Sequence, residues 1–151
     1  MDLHALTDAP FTSDDGIAAL LEAFHTRALP RSAWNHRAHL TVALSLARAL
    51  APADPLPCIR DAILAYNTSV GIVSTEDYGY HETLTALYAH IVSLHARRHP
   101  SPSSTSNDAN ALMEVWGDRD LPMRFYTRER LFSREARRVW IAPDLEPLPV
   151  V

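Results

Sequence analysis

The chain has no lysine, one cysteine and four glycines among its 151 residues, and each shortage closes off chemistry. All 14 basic residues are arginine, so neither a Schiff-base lysine nor a lysine general base is available. The lone Cys58 excludes an internal disulfide and any cysteine-rich zinc cluster. There is no glycine-rich phosphate loop, no Gly-x-Ser-x-Gly elbow and no His-Glu-x-x-His helix. No apolar run approaches the ~20 residues of a membrane span. The start, Met1-Asp-Leu-His, lacks the basic and apolar regions of an export signal, so the expected compartment is the cytoplasm. A formal charge of -4 argues against nucleic acid as a partner. Chemistry is left to histidine, carboxylates, hydroxyls or a metal.

What is present is helical periodicity. Ser13 caps a segment in which Ile17, Leu20, Leu21 and Phe24 recur at helical spacing. A second helix is expected from about Ser32 to Leu50, with His36, His39, Leu40, Ala43, Ala47 and Leu50 on one face. The prolines of residues 51–57 break it, and a third helix runs from Cys58 to about Val70, stopped by Gly71. A fourth starts within Gly79-Tyr-His-Glu-Thr83, and a fifth spans Asp108 to Trp116. One short helix is expected near Ser133–Val139. No alternating strand pattern occurs. The expected fold is all-α: a single domain over 1–151, an irregular bundle of about five main helices with an irregular C-terminal segment. Residues 1–12 read as an arm, 100–107 as a flexible polar loop and 141–151 as a proline-punctuated tail.

The stretch Trp34-Asn-His-Arg-Ala-His-Leu40 places two imidazoles one turn apart at the mouth of an apolar stripe, and His81 opens the stripe of the fourth helix. A buried imidazole needs a hydrogen-bond partner or a metal, because an unpaired polar group costs about 1–3 kcal/mol. His36, His39 and His81 together would form a three-histidine site with positions open to water or substrate. Iron, copper and zinc all accept imidazole, so oxygenase-type and hydrolytic chemistry both fit. Glu82 is a candidate ligand or general base, and equally a helix cap. Tyr80 offers a hydroxyl beside it.

The arginine-rich segment Asp118–Arg134 reads first as a solvated, ion-paired face. If part of it reaches the site, Arg124, Tyr126 and Arg128 are the candidates for holding a small anionic substrate. The competing function is a non-enzymatic helical interaction module whose histidines are structural or pH-responsive.

Together Trp34-x-His-x-x-His-Leu40, Tyr66-Asn67, Gly79-Tyr-His-Glu-Thr83, Asp120-Leu-Pro and Phe125-Tyr-Thr-Arg-Glu-Arg-Leu-Phe-Ser133 carry a resemblance over residues 20–148. On these motifs the chain resembles a family of uncharacterised bacterial proteins of about this size. The resemblance implies that the segments share one architecture and implies no activity.

Overall fold

Serine, asparagine and aspartate at N-caps set where the helices begin. The computed structural model describes residues 1–150, and every regular element among them is helical. Ser13 Oγ accepts the Gly16 N–H at 3.2 Å and starts α2 (Asp14–His25), whose first turn carries Asp14 and Asp15 at the positive end of the helix dipole. Before it, Asp2 caps a short α1 (Leu3–Asp8), so the expected arm contains a turn and a half of helix.

A 3-10 turn, Arg31–Ala33, separates α2 from α3 (His36–Leu50). The α3 cap is Asn35, whose side chain accepts from Ala38 N–H at 3.1 Å and donates to the Thr7 carbonyl at 2.8 Å. Helix α3 therefore starts four residues later than the periodicity suggests. The chain has to turn first, because Trp34 is drawn into an aromatic stack with Phe24 (4.8 Å) and Tyr66 (4.9 Å).

Next come α4 (Leu56–Ser69) and α5 (Glu82–Arg98). Gly71 ends α4 at φ +76, a conformation that side chains with a Cβ rarely adopt. Gly79, at φ +90, lies so close to Ser74 that an added Cβ would sit 2.8 Å from the Ser74 Cα. That contact folds the 71–81 loop back on itself and aims Tyr80 and His81 at the start of α5.

Helix α6 (Thr105–Trp116) begins at a Ser104 cap, so residues 105–107 of the expected loop are helical. Three short helices follow: α7 (Pro122–Phe125), α8 (Arg128–Leu131) and α9 (Arg134–Arg138). The tail is anchored at several points. Thr83 donates to the Val139 carbonyl at 2.9 Å, Leu145 N–H reaches the Phe125 carbonyl at 3.0 Å, and His90 Nε2 donates to the Pro149 carbonyl at 2.6 Å.

Helix α5 lies at the centre, packed on α3, α4 and α9. One cluster of buried side chains joins α3, α5 and α6 to the short helices through Leu44, Leu87, Ile91, Leu112 and Phe125. A second joins α2 to α3 and α4 through Leu20, Phe24, Val42 and Tyr66. No helix among the described residues is long and apolar enough to cross a membrane.

Candidate functional site

The first turns of α3 and α5 face each other across a cavity of about 520 Å³. Helix α4 supplies its floor with Ile59, Ile63 and Asn67, and the 119–132 segment closes it from above. His36, His39 and His81 all line it. They arrive there in different states.

His36 is the first residue of α3, with its ring edge-on to Tyr88 at 5.4 Å. Its Nε2 is buried and has no hydrogen-bond partner. Burial first, and then the Arg119 charge, hold its pKa below the usual imidazole range, against a hydrogen bond to the Gly117 backbone that pulls the other way. His39 stacks on Trp34 with ring centroids 3.8 Å apart. That contact is the reason the Trp34 stack matters: Phe24 and Tyr66 fix the indole, and the indole fixes the imidazole. Neither ring nitrogen of His39 makes a hydrogen bond among the described residues. Burial, and to a lesser degree the neighbouring His36, push its pKa down to about 3, so the ring is neutral at pH 7.

His81 differs because both of its nitrogens are occupied. Its Nδ1 accepts the Leu84 N–H at 3.1 Å, making His81 the N-cap of α5. Accepting at Nδ1 places the proton on Nε2, which donates to the Leu131 carbonyl at 2.8 Å. The third imidazole of the expected set is thus spent on starting a helix and tying α8 to it. Among the described residues, no three His, Cys, Asp or Glu side chains are grouped to hold a metal ion.

Glu82 turns away from the cavity. Its carboxylate takes a forked contact from Arg60 of α4, with Nε at 2.9 Å from Oε1 and Nη2 closer still, and it accepts from the Tyr80 hydroxyl at 2.7 Å. Burial alone would raise its pKa, but the Arg60 and Tyr80 bonds outweigh it and hold the carboxyl ionised. Tyr80 does line the cavity, though its hydroxyl is committed to Glu82, and burial with that bond drives its pKa well above the ordinary phenol range. The three side chains form a strut between α4 and α5. Glu82→Gln should lower stability by about 1–3 kcal/mol, between the limits for exposed and buried pairs. A double-mutant cycle with Arg60→Ala, read by urea denaturation, checks that the loss belongs to the pair; additive single losses would contradict it.

Of the three candidates in the arginine-rich segment, the structure brings one to the cavity. Arg124 is exposed, paired with Glu146 at 3.0 Å and seated over the Phe125 ring. Tyr126 is buried elsewhere, donating to the Ile141 carbonyl at 2.8 Å. Arg128 lines the cavity, its guanidinium 5.3 Å from the Phe132 ring centroid. No protein-family model, curated protein or solved structure matches the chain. What the cavity can do is set by its own groups.

Four of those groups are not site candidates on the sequence alone. Tyr88 carried a signal, lying seven residues after His81 on the same helical face; its hydroxyl is driven up to about 12 by burial and Asp118. Asn67, buried at the end of α4, had only its place beside Tyr66. Arg119 and Asp120 lie between α6 and α7, where no periodicity marks a face. The other buried polar atom without a partner, Arg37 Nη1, belongs to a side chain outside the cavity lining.

Proposed function

We propose that this protein binds a small molecule in the α3–α5 cavity, and that His36 and His39 hold a divalent transition metal there. The observation that carries the reading is the buried His36 Nε2 without a partner, one turn from a second imidazole held against Trp34. An orphaned buried polar atom costs about 1–3 kcal/mol unless something fills its place. Two neutral nitrogens one turn apart on a helix are suited to a shared ion. His81 is not a ligand in this arrangement. Two protein ligands leave most of the coordination sphere open, which suits chemistry rather than structural support. Iron, copper and zinc are all compatible, the affinity order favouring copper. A bound ion would polarise water or a substrate oxygen, the basis of oxygenase-type or hydrolytic activity.

The test is elemental analysis of protein purified after expression with added iron, copper and zinc. About one metal per chain is expected in the native protein and little in His36→Gln; native protein without metal overturns the proposal. A second reading has an observation of its own. The doubly engaged His81 supports a non-enzymatic helical module with structural histidines. Metal-free native protein would favour it.

A further inference from the structure

The cavity's rim carries charge that the protein does not use. Several arginines elsewhere are engaged: Arg48 with Asp108, Arg60 with Glu82, Arg134 with Glu76 and Asp77, and Arg130 with the Ala142 carbonyl. The Arg119 and Arg128 side chains make no hydrogen bond or ion pair among the described residues, and both residues line the cavity. With Asp120 they are its formally charged groups, giving +1 in a chain whose net charge is -4.

We propose that the ligand is a small organic acid, a single carboxylate on an apolar body, with its charge taken by Arg119 and Arg128. The guanidinium is a planar fork of five donors with no acceptor, and its geometry matches a carboxylate. Stacking on Phe132 holds the Arg128 fork in place at the rim. Asp120 on the same rim opposes a second negative charge, which favours a carboxylate over a phosphate dianion. Below the rim the walls are Leu40, Ala43, Ile59, Ile63, Leu84 and Met123, which can bury a hydrocarbon body. The volume of about 520 Å³ falls within the range of small-molecule sites, roughly 300–1,000 Å³. The inference rests on the cavity being a ligand site and is independent of the metal.

Calorimetric titration of chelator-treated protein with octanoate and with octanamide at pH 7 separates the two. The amide keeps the shape and removes the charge. Octanoate should bind at least tenfold more tightly, and the preference should vanish in an Arg119→Gln, Arg128→Gln double variant. Both side chains are exposed, so the variant should keep the native melting temperature. Equal affinities, no octanoate binding, a preference that survives the double substitution, or displacement of octanoate by equimolar inorganic phosphate would each overturn the proposal. Because the titrated protein holds no metal, failure here leaves the metal site to its own test.

Discussion

Asp108→Ala should destabilise the protein by about 3–5 kcal/mol, the range for breaking a buried charge network by removing one partner. Asp108 lies in the first turn of α6, nearly inaccessible to solvent, where the helix dipole favours its charge. Its Oδ2 accepts from Arg48 Nε at 2.5 Å, and its Oδ1 accepts from Arg48 Nη2 at 2.7 Å and His95 Nε2 at 2.9 Å. Burial raises its pKa, but the Arg48 and His95 bonds prevail and keep it ionised. The aspartate thus ties α3 and α5 to the start of α6. Alanine would leave the Arg48 guanidinium and the His95 ring, which is 1% exposed, facing each other without their acceptor. At roughly 2–4 °C per kcal/mol for a chain of this size, the melting temperature should fall by about 10 °C. Asp108→Asn keeps an acceptor for Arg48 and should lose less. A loss below about 1 kcal/mol for the alanine variant would show that the network contributes little.

Acid should weaken the metal-free protein well before its carboxylates titrate. His39, His36, His81 and His95 all have folded pKa values below the ordinary imidazole range, with burial the leading cause for each. The sign follows. Below about pH 6.5 the unfolded chain takes up protons that the folded chain refuses, so stability is full above that pH and falls as the pH drops toward the folded values. For His39, with a folded pKa of about 3, the loss between pH 7 and pH 5 is about 2 kcal/mol. The other three add to it. His81 shows why: its Nδ1 must remain unprotonated to accept the Leu84 N–H, so a proton there breaks the cap of α5. Loss of the Asp108 and Glu82 ion pairs follows only below about pH 4, since both carboxyls are held below the usual carboxylate range. Urea denaturation at pH 7, 6 and 5 measures the first stage. A flat profile over that range would contradict the buried, neutral state of these rings.

The helical class was legible because the apolar residues of α2, α3 and α5 recur every three or four positions with capping residues ahead of them. Boundaries failed where tertiary contact overrode local pattern. The apolar pattern starts α3 at about Ser32, yet the Trp34 stack forces a 3-10 turn and Asn35 becomes the cap. Ser, Thr and Asn near residue 105 look like a loop, although the same residue types make the Ser104 cap.

The cavity was partly legible too, since three histidines opening two apolar stripes do meet there. His81 could not be read fully, because a histidine at an N-cap and a histidine at the head of a stripe occupy the same place in a sequence. Glu82 reads in the sequence as ligand, base or cap; its partner, Arg60, comes from another helix and leaves no local mark. Arg124, Tyr126 and Arg128 diverge because two four-residue helices reorient the chain between them.

Calorimetric titration of chelator-treated protein with Cu2+ and with Zn2+ tests the two-histidine site most directly. The native protein and a correctly folded His81→Gln variant should each bind one equivalent, and His36→Gln should show no stoichiometric site. Saturable binding that is unchanged in His36→Gln, or no saturable binding by the native protein, would contradict it.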